Sequence, residues 1–162
     1  METPRTILTE LAIEDFPDVL KMFKDPETTT YIKHLQTLTD LEYGTILENR
    51  LNQMANKIGY HWTARSKIND DFVGALNLSP IPNTEMMQIG FQLRRKYWNQ
   101  GLAFELAKRV LEFGTVEAGL KTIYGVFEKD NIASRKVLEK LGFEVEANRT
   151  YHDGIEVYSY SH

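Results

Sequence analysis

The residues with the most chemical promise stand together between Arg94 and Gly114. A basic run, Arg94-Arg95-Lys96, leads through Tyr97-Trp98-Asn99-Gln100 to Gly101. From Ala103 onward, apolar residues recur at three- and four-residue spacing: Ala103, Leu106, Ala107, Val110, Leu111 and Phe113. That pattern is a helix opening directly on a turn, with the strand-like stretch Met86 to Leu93 just before it. The first N–H groups of a helix lack internal acceptors, and the aligned peptide dipoles add partial positive charge there. Small residues at Gly101 and Ala103 let an anion approach the backbone closely, so the stretch is a candidate phosphate-binding turn. Taken alone, the same small residues also fit a closely packed helix start.

Other chemistries find no support. His34, His61, His152 and His162 are scattered, without the paired spacing of a metal site, so no metal is expected. The chain has no cysteine, which excludes disulfides, zinc ribbons, thiol redox and an acyl-cysteine intermediate. There is no Gly-x-Ser-x-Gly elbow, no Walker-type lysine and no Gly-x-Gly-x-x-Gly. A net charge of −4 gives no electrostatic reason to expect nucleic acid, and it weakly favours a cationic substrate by steering. The first eight residues lack an apolar run of signal-peptide length, and no segment is long enough to span a bilayer. A cytoplasmic protein with no membrane partner, monomeric or homodimeric, is the expectation. At 162 residues with 42% apolar content, no internal repeat and no low-complexity linker, residues 1–162 are expected to form a single domain.

The elements that must position the turn can be read in order. Arg5 to Leu11 alternates as a first strand. Ile13 to Phe23 reads as a helix with Pro17 in its first turn, where a missing N–H is harmless. Asp25-Pro26-Glu27 opens a short helical piece through Tyr31 and Ile32. A longer helix runs from Thr39 to about Asn56, with a capping-box pair at Thr39 and Glu42 and with Leu41, Ile46, Leu47, Leu51 and Met54 on or near one face. This helical region is expected to form one wall of a substrate cleft. Gly59–Arg65, Phe72–Leu78 and Thr84–Leu93 form a three-strand meander. After the helix at the turn come a strand at Thr122–Phe127, a helix at Asn131–Leu141 with Gly142 as its C-cap, and a closing hairpin of Phe143–Asn148 with Ile155–Tyr160. Grouped antiparallel strands with interspersed helices indicate an α/β (α+β) mixed fold, a mostly antiparallel twisted sheet flanked by helices. Tyr31, Tyr60, Trp62, Phe72 and Phe91 lie on these elements, mostly as core, with some available to line the cleft.

Two segments together carry a resemblance. Tyr97-Trp98-Asn99-Gln100-Gly101-Leu102-Ala103-Phe104-Glu105 and Val126-Phe127-Glu128-Lys129-Asp130-Asn131-Ile132-Ala133-Ser134-Arg135, continuing to Lys140-Leu141-Gly142-Phe143, resemble the acetyl-CoA-binding signature of the GCN5-related N-acetyltransferases (GNAT). The Trp-x-Gln-Gly-x-Ala form and the Asn-x-x-Ser-Arg form look most like the branch that acetylates ribosomal-protein N-termini, and the element order matches over essentially the whole chain. The resemblance implies splayed central strands, the fourth and fifth, with acetyl-CoA as co-substrate in the opening. It implies acetyl transfer straight to a primary amine, foremost a protein N-terminal α-amine. A polyamine, an aminoglycoside-like amine, or a non-catalytic acyl-CoA-binding module are the alternatives.

Carried over by position, the cofactor-binding residues are Phe91 and Leu93 on the strand, Arg95, Lys96, Trp98, Asn99, Gln100, Gly101, Leu102 and Ala103 at the turn, and Asn131 and Ser134 on the second segment. Trp98 stands where much of the wider family has Arg or Gln, which leaves a site built chiefly from backbone N–H groups, with Arg94, Arg95 and Lys96 as supplementary charge. Asn131 fits both a helix N-cap and a contact to the CoA arm. The family's proton-donating Tyr position holds Leu138 here, so Ser134 is the candidate acid for the departing thiolate, its other reading being a helix-terminus hydroxyl. Strand N–H groups near Phe91 to Leu93 are candidates for the oxyanion. Glu85 is the candidate base, because neighbouring Gln88 cannot ionise, with Glu146 and His152-Asp153 as alternatives. Gly101→Glu, which puts bulk and negative charge in the turn, should abolish acetyl-CoA binding in a direct titration; normal binding would refute the turn assignment.

Overall fold

The computed structural model describes residues 1–146 and 154–162. Seven strands form one sheet in the order β1-β2-β3-β4-β5-β7-β6. They are β1 (Thr6–Glu10), β2 (Tyr60–Ser66), β3 (Phe72–Pro80), β4 (Met87–Leu93), β5 (Thr122–Glu128), β6 (Glu144–Val145) and β7 (Ile155–Ser161). The helices are α1 (Phe16–Phe23), α2 (Asp40–Ala55), α3 (Leu102–Glu112) and α4 (Ile132–Lys140). All neighbouring strands are antiparallel except β4 and β5, which run parallel and share one register pair, Gln88 with Tyr124. The mixed, mostly antiparallel sheet and the splay between its fourth and fifth strands therefore match the expectation.

Helices cover both faces, and alternation along the strands feeds two cores. Leu106, Val110 and Leu111 of α3 pack with Leu76, Leu78, Ile89 and Ile123 of the sheet. Val19, Met22 and Phe23 of α1 pack with Tyr43 and Leu47 of α2 and with Phe72 and Ala75 of β3. A register shift next to Arg65 sets Phe72, not Val73, opposite it. This bulge turns Phe72 and Ala75 toward α1 and α2 while Val73 and Leu76 face α3. Asp15, at the mouth of α1, accepts hydrogen bonds from the Ala12 N–H (3.2 Å) and the Thr63 hydroxyl (3.1 Å), tying α1 to β2.

Two local expectations need correction. The short helical piece at Asp25 to Ile32 is a chain of turns, followed by a 3-10 segment at Lys33–Thr37. Thr28, Thr29 and Thr30 turn their hydroxyls back onto the carbonyls of Met22, Asp25 and Pro26, a competition with the backbone that disfavours regular helix. Leu41 is 82% exposed and not on the packed face of α2, although the capping box is present, with the Thr39 N–H donating to Glu42 at 2.7 Å. Beyond α3 the chain continues into a π turn, Phe113–Glu117. There Gly114 packs so closely that a Cβ would stand 2.6 Å from Ile123 Cδ1. Among the described residues no helix is long and apolar enough to cross a membrane.

His61 on β2 is a buried titratable group inside this frame. Its Nε2–H donates to Gln53 Oε1 of α2 at 2.7 Å, and its Nδ1 has no partner. Burial, assisted by the nearby Arg50 charge, pushes its pKa down to about 3. The folded protein thus holds His61 neutral, while the unfolded chain takes up a proton below about pH 6.5. Stability contributed by the neutral ring is present above that pH and is lost as the pH falls toward 3, by up to about 1.4 kcal/mol per pH unit. Urea unfolding of His61→Gln, which keeps a donor for Gln53, should show a shallower loss of stability between pH 6 and pH 4 than the parent; parallel curves would refute the account.

Candidate active site

The turn entering α3 is shaped by two positive backbone angles. Asn99 has φ 57° and Gly101 φ 75°, the left-handed region that glycine adopts without strain. Gly101 is also the N-cap, and having no side chain it offers no cap to the first N–H groups of α3. Those amides are left for a ligand, with the dipole of an eleven-residue helix behind them. Trp98 is a strut: its Nε1–H donates to the Leu93 carbonyl at 2.7 Å, locking the turn to the end of β4. Gln100 Nε2–H donates to the Lys96 carbonyl at 2.7 Å and closes the preceding bend.

Arg5, which carries no signal in the sequence, clasps this turn from the far end of the chain. Its guanidinium donates to the Gln100 carbonyl (2.9 Å) and to Glu105 Oε2 (2.7 Å), and its backbone N–H donates to Glu105 Oε1 (3.0 Å). Burial opposes ionisation of Glu105, but hydrogen bonds from Thr3 and Arg5 outweigh it and hold the carboxyl below its usual range. Arg5 thereby both fixes the turn and neutralises the one acidic side chain in the first turn of α3.

The basic run is largely committed elsewhere. Asp71 pairs with Arg94 at 3.3 Å and with Lys96, and it accepts the Tyr97 hydroxyl. Hydrogen bonds from Lys96 and Tyr97 hold the Asp71 carboxyl below its usual value, and burial and Asp71 push the Tyr97 phenol up to about 12. Arg95 stacks over the Trp98 ring with its guanidinium carbon 4.7 Å from the centroid. It also lies 3.7 Å from Glu27. These three cations brace the loop before α3.

On the other side of the splay, Asn131 caps α4 by accepting from the Ser134 N–H at 3.1 Å, which leaves its Nδ2 hydrogens for other partners. Ser134 is half-buried, and its Oγ makes no hydrogen bond among the described residues. Arg135 holds the β5–α4 loop to β7 through the Lys129 carbonyl (3.1 Å) and Glu156 (2.9 Å). Leu138 is buried and fills the space over Gly125, where a Cβ would stand 2.5 Å from Leu138 Cδ1.

Two cavities meet at the splay. One, of about 320 Å³, is bordered by Phe91, Leu93, Trp98, Asn99, Gly101, Leu102 and Ala103 together with Asn131 and Ser134. The other, of about 530 Å³, lies toward α2 and is bordered by Ile46, Arg50, Asn77, Gln88 and Glu128. Tyr31, Ile32, Phe91, Gln92, Asn131 and Ser134 border both. Most of the sequence-derived site residues therefore gather around one opening, with α2 forming a wall as expected. Arg95, Lys96 and Gln100 do not line it; Lys136, exposed on α4, is the cation that does. Glu85 is exposed on the turn between β3 and β4 and borders neither cavity, because that turn carries it past the end of the sheet. The carboxylate at the larger cavity is Glu128, at the end of β5, paired with Lys33 at 3.2 Å. Glu146 lies just past β6 and also borders neither, and His152 and Asp153 lie outside the described residues. Tyr31 and Phe91 line the opening, whereas Trp62 and Phe72 are core. No cluster of three metal-ligating side chains occurs among the described residues.

Comparison with known proteins bears on this geometry. Residues 5–144 match the family model described as Acetyltransferase (GNAT) domain. The uncharacterized N-acetyltransferase YoaA of Bacillus subtilis (strain 168) is 25% identical over 148 residues, 90% of this chain and 83% of that protein. Among solved structures, RimL, the ribosomal L7/L12 alpha-N-protein acetyltransferase in complex with coenzyme A, aligns with a TM-score of 0.82 at 14% identity, covering 98% of this chain and 95% of that one. Spermidine N-acetyltransferase from Vibrio cholerae, in complex with CoA and spermine, aligns at 0.78 and 13% identity over 96% and 95%. At such identities the two structures speak to the fold.

The Arg5 clasp makes a separable prediction. Its ion pair is partly exposed and is worth under about 1 kcal/mol to the fold. Arg5→Ala should leave the melting temperature nearly unchanged while weakening acetyl-CoA binding about tenfold, as the turn loosens and the Glu105 charge is uncovered. Equal affinity in calorimetric titration would show that the clasp is irrelevant to the ligand.

Proposed function

The chain belongs to the GNAT acetyltransferase family, and from that premise we propose that it transfers an acetyl group from acetyl-CoA directly to a primary amine, the α-amine of a protein N-terminus. The carrying observation is the pair of cavities that meet at Asn131 and Ser134 across the β4–β5 splay. The smaller cavity suits the donor. The uncapped amides at Leu102 and Ala103 and the Lys136 ammonium are groups that bind pyrophosphate and phosphate oxygens. The larger cavity suits the acceptor.

Acetyl-CoA supplies an activated carbonyl, so the protein's part is small. The ammonium of the acceptor must lose a proton; its nitrogen then attacks the thioester carbon, and the C–S bond breaks as the amide forms. The thiolate takes up a proton to leave as CoA. Ser134, whose hydroxyl makes no hydrogen bond among the described residues and which borders both cavities, is our candidate donor to the sulfur. Glu128 is the carboxylate facing the acceptor, a role that the exposed Glu85 is not placed to fill. Backbone N–H groups of β4 beyond the single β5 pair are candidates for the oxyanion. With no cysteine in the chain, direct transfer needs no thiol relay.

The test is CoA release across N-terminal peptides, spermidine and an aminoglycoside. Peptide turnover supports the reading. Turnover confined to spermidine or the aminoglycoside overturns the acceptor, and acetyl-CoA binding without turnover on any amine overturns catalysis. Within an active enzyme, Ser134→Ala should lower kcat about 10- to 100-fold with little change in acetyl-CoA affinity. Glu128→Gln should flatten the acid limb of the pH–rate profile and Glu85→Gln should not; the reverse pattern would restore Glu85 as the base.

A further inference from the structure

The larger cavity carries a charge that the fold itself does not balance. Its lining holds Lys33, Arg50 and Glu128 together with the imidazole of His34, and Glu128 is already paired with Lys33. Arg50 forms no ion pair among the described residues. Its guanidinium carbon lies 4.9 Å from the centre of the Phe23 ring, on the stretch of α2 that also sets Ile46 against the cavity. Burial lowers the Arg50 pKa to about 10, so the group remains a cation at neutral pH. Its charge is felt locally: after burial, it is the second cause of the neutral state of His61.

Arg50 is half-buried, packed over Phe23 at the cavity wall without an ion pair among the described residues, and a carboxylate meeting its two-pronged face gains a charge-assisted pair that the fold does not supply. A polycation would gain nothing here, since entering the cavity would bring it beside Arg50 as well as Lys33. The overall charge of −4 does not override this, because at physiological ionic strength charges farther than about 8 Å are largely screened. Resting on the acetyl-transfer reading above, we propose that Arg50 binds a carboxylate on the acceptor, so that the enzyme selects α-amines that carry an acid. The amine then lies toward Glu128 and Ser134 while the acid lies toward α2, and the carboxylate is unchanged by the reaction. The acid has two possible sources, the α-carboxylate of a free amino acid or an acidic side chain at the start of a peptide.

Matched acceptors separate them. Glu-Ala-amide against Gln-Ala-amide tests the side-chain source, and alanine against alanine amide tests the α-carboxylate source, with spermidine as the polycation. Each acceptor is assayed for kcat/KM, and the N-acetylated product of each is titrated against the full chain, a readout that does not depend on turnover. The acidic member of at least one pair should be favoured about tenfold or more in both measurements, and that pair names the source. Arg50→Met, which keeps the stem over Phe23, should bring the pair within about twofold, while Arg50→Lys should retain part of the preference. Unchanged acetyl-CoA affinity in both variants shows that the fold is intact. Equal binding within both pairs, a preference that survives Arg50→Met, or tightest binding of the spermidine product overturns the proposal. If no amine is turned over but the products bind with an Arg50-dependent preference, acetyl transfer fails and the carboxylate recognition stands.

Discussion

Two parallel strands that share the Gln88–Tyr124 pair and then diverge leave a run of backbone on each without a ladder partner. Buried peptide groups do not stay unpaired, so a gap of this kind in the middle of a sheet has to be supplied with hydrogen bonds from outside. One edge of the gap is held by β3, which pairs with β4 along its whole length, and the other by β7, which pairs with β5 along its whole length. Each half of the sheet thus has its own antiparallel ladder. The opening between them persists because neither half needs to close it, and the cavities follow from that.

The chemistry of the opening comes mainly from backbone geometry and from charges that have already been spent elsewhere. Asp71 absorbs Arg94 and Lys96, and Arg5 absorbs Glu105. Among the described residues, the groups left uncommitted around the opening include the first amides of α3, the Asn131 Nδ2 hydrogens, the Ser134 hydroxyl, the Lys136 ammonium and the Arg50 guanidinium. Polar groups that have settled their hydrogen bonds within the fold gain little from a ligand, whereas unsettled ones gain fully. The division between braced and free groups accordingly separates scaffold from site more sharply than residue type does.

What could be read in advance follows the same line. The helix opening at Gly101, the N-cap at Asn131 and the capping box at Thr39 are local, so their residues lie within a few positions of one another and their order alone discloses them. The mixed sheet was legible because each strand carries its own alternation. The Arg5 clasp joins residues a hundred positions apart, and the lack of an ion pair at Arg50 is a statement about every described acid, so neither has a local signature. The basic run before the turn misled for a related reason: Asp71, which engages Arg94 and Lys96, is brought alongside only by the pairing of β3 with β4. Glu85 was chosen for its nearness in sequence to β4, and the turn geometry, not that nearness, decides where its side chain stands.

The position of β7 between β5 and β6 has a bearing on how the molecule is made. A ribosome delivers β5 and β6 before β7, yet β5 gets its antiparallel partner only from Ile155–Ser161. The half of the sheet that begins at β1 can therefore assemble during synthesis, while the half bearing Asn131 and Ser134 waits with the outer edge of β5 exposed. Catalytic competence is then the last thing acquired by the nascent chain, and truncated products or stalled translation would yield a protein with a formed turn at α3 but an unfinished opposite wall.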